Sequence, residues 1–415
     1  MSVPLHRLYN FLHDVCNHHD LVIYGFFPHG SRKITDITKL ETSDDLSKTY
    51  LEQHQTVTNR KNIFVHDQEP LNFDLYSSQD VFESLYPNFQ LMPDQDDFVT
   101  NMIKELSGKI TQYLNLKMIH AFILYKVPVL LIHSEQRSNN LKKYQDIDFV
   151  PVYWWCHGVI ARDWFRYAQH DVLLSKRTPH KDFLIYNRAW SGTREYRLKF
   201  AELVVDHDLS SYCNMGFNSE DLVDYRQHQF QNEKFQIQRQ DLEQYFFYNT
   251  SDSSASADYC AHDYQTTNIE VVLETLFDDD RLQLTEKILR PIACGHPFIL
   301  VATQGSLEYL RGYGFKTFHN IIDETYDTIA DPAQRLQAIL IEMKRIATLP
   351  HDAKQQVYGA LRSTAVHNQQ RFFSAEWHDQ LISEFKQNFD SAITDYNQRM
   401  QSLLALPTDK SIPIS

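Results

Sequence analysis

Thr285, Glu286 and Lys287 bring a hydroxyl, a carboxylate and an ammonium together on three successive residues. The spacing of Ile288, Leu289, Ile292 and Ala293 predicts a helix that begins near Thr285, which can cap it. A helix start offers unpaired N–H groups and a partial positive charge, and both suit phosphate. Lys287 adds a full charge with three donors. Glu286 can accept from ribose hydroxyls. The set therefore suits a nucleoside diphosphate. The bland reading of the same residues is a capped helix whose Glu and Lys are merely solvated.

The surrounding elements fix where this helix starts. The apolar run Ile269 to Leu273 reads as a buried strand, ending at Glu274-Thr275. A polar segment, Leu276 to Gln283, separates it from the helix. Pro291 falls in an early turn, where proline is tolerated. Gly295-His296-Pro297 stops the helix, and Phe298 to Val301 is the next strand. The unit is a parallel β-α-β crossover. Its helix start would lie at the carboxyl end of a parallel sheet, where open α/β folds bind ligands.

Glu274-Thr275, Leu284-Thr285-Glu286-Lys287-Ile288 and Cys294-Gly295-His296-Pro297-Phe298 together resemble the donor-site signature of α1,3/4-fucosyltransferases. That family reads roughly Glu-Asn-Ser, a short loop, Tyr-Val-Thr-Glu-Lys-Ile/Leu, a helix and Gly-x-Pro-Val. Thr275 stands here where Asn is usual, the loop is longer, and Leu284 precedes Thr-Glu-Lys. The likeness extends over Asn268 to Phe318. It implies an α/β protein of the GT-B class, two Rossmann-like domains facing across a cleft, with Glu274, Thr285, Glu286 and Lys287 on the donor. A second echo covers Phe183 to Leu203. The family has a strand, an Asn and then an Arg that contacts the donor diphosphate at the next helix start. Asn187 and Arg194 match, and Arg197 follows one turn later. Arginine suits a diphosphate because its planar fork binds two oxygens at once. An ordinary solvated helix start would look the same.

Two carboxylates compete for the role of base. Ser134-Glu135-Gln136-Arg137-Ser138-Asn139 resembles the family's Glu-Ser-Pro-x-Asn segment, whose Glu faces the acceptor, but lacks its proline. Asp67-Gln68-Glu69-Pro70 also follows a strand pattern. Chain order favours Glu135 over Glu69. The resemblance implies an inverting, metal-independent transfer of fucose or a related sugar, with a nucleotide-diphospho-sugar as substrate and no separate cofactor. A glycan or another hydroxyl compound would be the acceptor. An alternative acceptor is nucleic acid, as for viral transferases that modify hydroxymethylated pyrimidines in DNA. Outside enzymes, the pattern also fits a degenerate transferase fold kept as a binding module.

Other chemistries find less support. Asp278-Asp279-Asp280 has the carboxylate spacing of an Asp-x-Asp metal motif, but it sits late in the chain in the loop before the Thr-Glu-Lys helix. It reads as a solvated acidic turn, so no metal ligand is assigned. The 20 histidines include no HExxH, and neither GxSxG, GxGxxG nor GxxxxGK[ST] occurs. The five cysteines form no CxxC pair, which suits a reducing cytosol. No apolar run reaches the length of a membrane span, so a cytoplasmic protein without an anchor is expected. The net charge of −14 is carried mostly beyond residue 180 and gives nucleic-acid binding no support.

With 415 residues the chain has room for two domains. Strand patterns at Leu21–Phe27, Asn62–His66, Pro128–His133 and Phe149–Trp154, with helices at His6–Cys16, Asp97–Tyr113 and Gly158–Tyr167, mark an acceptor domain over 1–170. Residues 171–182 read as a linker. A nucleotide-sugar domain follows over 183–375, opened by a strand at Phe183–Tyr186 and a helix from Arg194, and interrupted by a polar insertion at 214–267. Amphipathic helices are expected at Pro332–Thr348, Asp352–Leu361 and Ser374–Leu404. Residues 376–415 then form a terminal helix and tail.

Overall fold

The computed structural model describes residues 129–146, 149–190, 194–218, 235–246 and 257–404, the strands at 21–26, 35–36 and 61–66, and scattered positions between 8 and 19. Contacts divide the chain into two units. One comprises His6–Cys156 with Ile382–Ser415, and the other is built on His157–Leu381. The expected helix at 97–113 lies outside the described residues.

The first unit holds β1 (Leu21–Phe26), β2 (Thr35–Asp36), β3 (Lys61–His66), β4 (Val129–His133), helix α1 (Asn139–Asp146) and β5 (Phe149–Tyr153). The strand order is β2-β1-β3-β4-β5. All pairs are parallel except β1 with the short β2. β4 is buried throughout, as its unbroken apolar run requires of a strand covered on both faces. Trp154, just past β5, packs against Phe11 and Phe385, and Asn388 Nδ2 donates to the Tyr153 carbonyl at 2.9 Å. Residues from 382 onward thus close the end of this sheet.

The second unit begins in α2 (Cys156–Trp164) and continues through α3 (Val172–Ser175), β6 (Lys181–Asn187), α4 (Tyr196–Asp206), β7 (Cys213–Phe217), α5 (Ala261–Thr266), β8 (Thr267–Leu273), α6 (Glu286–Ala293) and β9 (Phe298–Val301). The helices α7 (Ser306–Gly312), α8 (Pro332–Ala347) and α9 (His351–Phe373) follow, and α10 (Ala375–Leu404) contributes its first turns. Its sheet is wholly parallel, in the order β7-β6-β8-β9. Both units are therefore mixed α/β structures built on parallel strands.

Local chemistry sets several boundaries. Gly295 takes φ of +61° after α6, a conformation glycine adopts without strain, and a Cβ there would press on Gln369 of α9. Gly158 is required for another reason: an added Cβ would lie 2.8 Å from Leu381 Cδ1 and 3.2 Å from the Trp377 ring. Arg162 of α2 donates to the carbonyls of Phe372, Phe373 and Ser374, satisfying the orphan end of α9.

The expected linker at 171–182 lies inside the second unit, where it contains α3 and the start of β6. The division falls instead at Cys156/His157 and Leu381/Ile382. The insertion expected over 214–267 is also not a single excursion. Its first residues are β7, whose apolar signal is short because it is an edge strand. Leu242–Tyr245 forms a 3-10 turn, with Leu242 packed into the cluster of Trp190, Leu198 and Val205. Residues 261–266 are α5, and Thr267 opens β8. The helix expected at 352–361 runs on to Phe373.

Candidate functional site

The carboxyl end of β8 and the start of α6 are fastened by one side chain. Glu274 is fully buried. Its Oε1 accepts from the Thr285 amide at 3.0 Å and the Ile288 amide at 3.4 Å. Its Oε2 accepts from the Thr285 hydroxyl at 2.7 Å and the Thr275 amide at 3.0 Å. Thr285 in turn accepts from the Lys287 amide as the N-cap of α6. The helix-start amides expected to meet phosphate are thus largely taken by the protein itself. Glu274, expected on the donor, holds the loop closed; its oxygens are occupied by the chain's own donors.

Lys287 is different. Its side chain keeps 23 % of its surface exposed. Its ammonium donates to Thr275 Oγ1, Thr285 Oγ1 and Glu286 Oε1 at 3.2, 3.1 and 3.1 Å, so both threonines and the neighbouring carboxylate aim it. Burial lowers its pKa, Glu286 and Glu274 raise it, and Arg197 and Arg194 lower it again. The ammonium is thus partly desolvated, with two carboxylates favouring its charge and two guanidinium groups opposing it.

Glu286 is nearly buried, between Lys287 and His157, whose Nδ1 lies 3.7 Å from Oε2. Burial opposes its ionisation, but the charges of Lys287 and His157 outweigh that and hold its pKa at about 2. His157, buried at the start of α2, was not singled out from sequence. Its one signal was its place at a helix start directly after a strand.

Arg197 departs from expectation. It is 3 % exposed. Nη1 donates to Asn187 Oδ1 at 3.0 Å and to the Ala189 carbonyl at 2.7 Å, and Nη2 to the carbonyls of Leu273 and Glu274 at 3.0 and 2.8 Å. It therefore stitches the ends of β6 and β8 together, and Asn187 serves as one of its acceptors. The Asn187 Oδ1 and both terminal nitrogens of Arg197 are thus engaged within the chain. Tyr196 assists by donating to the Glu274 carbonyl at 2.6 Å and stacking on Phe277. Arg194 stays half-buried just ahead of α4, and its charge acts on both Lys287 and Arg197.

In the acidic loop, Arg281 engages Asp279 through Nε at 2.9 Å and Nη2 at 2.6 Å, and its amide donates to the same carboxylate at 2.8 Å. Asp279 is thereby committed to an internal turn. Among the described residues, no group of three or more His, Cys, Asp or Glu side chains is arranged to hold a metal ion.

In the first unit, Glu135 follows β4 and is fully buried. His133, the last residue of β4, is buried too; desolvation lowers its pKa to about 4 against a hydrogen bond to the Glu135 backbone. Its imidazole is neutral at physiological pH. Glu69 lies outside the described residues. Among the described residues, no helix is long and apolar enough to cross a membrane.

Comparisons with protein-family models, with curated proteins and with solved structures return no match to this chain.

Proposed function

We propose that the chain is a GT-B glycosyltransferase moving fucose or a related sugar from a nucleotide-diphospho-sugar to an acceptor hydroxyl. The observation that carries this reading is the Lys287 ammonium. It is partly exposed at the carboxyl end of a parallel strand, near the Arg194 charge and beside an ionised Glu286. Lys287 and Arg194 would take the diphosphate, and Glu286 the ribose hydroxyls. The same cations would offset the charge that develops on the departing diphosphate. The acceptor oxygen attacks the anomeric carbon as the carbon–phosphate oxygen bond breaks, inverting that centre, and a carboxylate takes the hydroxyl proton. Glu135 is assigned that proton, with Glu69 as the other candidate. A cytoplasmic location belongs to the same proposal.

A thermal-shift panel of nucleotide-diphospho-sugars tests it. A true donor at 100 times its Kd adds about 2.7 kcal/mol of stability. Stabilisation of wild type by a donor, lost in Lys287→Ala, supports the reading. A panel in which neither nucleotide-sugars nor nucleoside diphosphates stabilise the protein overturns it.

A further inference from the structure

A second cationic cluster lies at the amino ends of β8 and β9, the edge of the sheet away from Lys287. Arg177 donates through Nη2 to the carbonyl of Thr267, the first residue of β8, at 2.5 Å. His296 stands two residues before β9, which runs parallel to β8 with Phe298 opposite Glu270. Its ring meets the Tyr264 ring edge-on at 4.9 Å. Helix α9 covers the same corner: Gln369 Nε2 donates to the Ala293 carbonyl at 2.7 Å, and its side chain abuts Gly295. Arg362 sits two turns earlier on that face of α9. The charges of Arg177 and Arg362 act on each other and on His296.

Exposure falls inward across the three. Arg362 is exposed, Arg177 is half-buried and His296 is 1 % exposed. Neither ring nitrogen of His296 has a hydrogen-bond partner. Among the described residues, no carboxylate pairs with either guanidinium. Two arginines close enough to feel each other's charge, without a counter-charge, are unfavourable, and so is a buried imidazole with unmet hydrogen bonds. One anion would relieve both.

We propose that Arg177, Arg362 and His296 form a binding site for a small oxyanion of the phosphate class, separate from the Lys287 site. The guanidinium forks match the oxygens of a tetrahedral anion. A neutral imidazole at the inner end can donate one N–H to a phosphate oxygen or accept from a protonated one. The site does not depend on the glycosyltransferase reading.

The experiment is a calorimetric titration of the full chain with inorganic phosphate in the Lys287→Ala background, which weakens the first site. The expected result is binding that weakens about 10-fold or more on adding Arg362→Gln, an exposed change that leaves the fold intact. Phosphate should also shift the ring signals of His296 in ¹⁵N NMR, and do so in wild type as well as in Lys287→Ala. Arg177→Gln, checked by near-ultraviolet circular dichroism, should repeat the loss. Phosphate binding that is indifferent to both arginines, or a Lys287→Ala protein that takes no phosphate at millimolar concentration while wild-type His296 signals stay still, overturns the proposal.

Discussion

Glu274 and Thr285 stand eleven residues apart and are joined twice, amide to Oε1 at 3.0 Å and hydroxyl to Oε2 at 2.7 Å. The pair closes the loop between β8 and α6 and fixes the direction in which Lys287 leaves the helix. Thr285 then accepts from the Lys287 ammonium as well.

Glu274→Gln should therefore destabilise the fold. An amide keeps the size but turns a donor toward one of the four donors that the carboxylate now accepts. Mismatched buried groups of this kind cost about 1–3 kcal/mol. The midpoint of urea unfolding measures it, and an unchanged midpoint would contradict the fastening role.

Lys287→Ala should do the reverse, sparing the fold and removing donor affinity. The Lys287 side chain is partly exposed, and Thr285 stays fastened to Glu274 without it. Loss of a charged contact to phosphate costs roughly 1.5–3 kcal/mol of binding. Isothermal titration with the stabilising nucleotide-sugar reads the effect directly, and equal affinities in the two proteins would sink the site.

Glu286 sets an acid limit on stability. Its pKa in the folded protein, about 2, lies below the ordinary 4.5. The unfolded chain thus binds more protons in that window. The stabilisation is full above pH 4.5 and fades as pH falls toward 2, worth on the order of 3 kcal/mol. Unfolding free energy measured between pH 6 and 3 should fall more gently in Glu286→Gln than in wild type. In Lys287→Ala the fall should be smaller and should end at a higher pH, because the cation that favours the ionised carboxyl is gone.

The elements around this site were legible in the sequence because their causes are local. Phe298–Val301 is a strand as its apolar run requires, Thr285 caps the helix it precedes, and Gly295 ends it. The roles of the charged residues were not legible to the same degree. Arg194 and Arg197 lie one turn apart at a helix start, and nothing in that spacing tells a half-buried arginine from a fully buried one. What separates them is tertiary: the carbonyls of Leu273 and Glu274, 76 and 77 residues away, converge on Arg197. His157 reaches Glu286 from a distant segment with no periodic signal. β7 was missed because an edge strand needs little apolar sequence to pair on one side.

Turnover should survive EDTA. Asp279, the central carboxylate of the acidic run, is already held by Arg281, and the cations proposed to face the leaving group are Lys287 and Arg194. Activity abolished by the chelator and restored by Mn²⁺ would instead assign Asp278 and Asp280 to a metal.

Glu135→Gln should leave donor binding intact and depress turnover. The amide preserves volume but cannot take the acceptor's proton, and a general base contributes roughly 10²–10⁴-fold. Donor binding is expected to persist because Lys287, Arg194 and Glu286 belong to a different unit of the chain from Glu135. Steady-state kinetics with the preferred donor should therefore show a lower kcat at an unchanged donor KM. Rescue by an added small base such as azide or formate would separate lost proton transfer from lost packing, which matters because Glu135 is fully buried. Glu69→Gln should have the smaller effect. If Glu69→Gln abolishes turnover while Glu135→Gln retains it, the base assignment reverses and the rest of the mechanism stands. If neither change slows the reaction, a carboxylate is not taking the proton. His133, buried and neutral at the end of β4 two residues before Glu135, then becomes the group to test, since a neutral imidazole can accept where a charged one cannot.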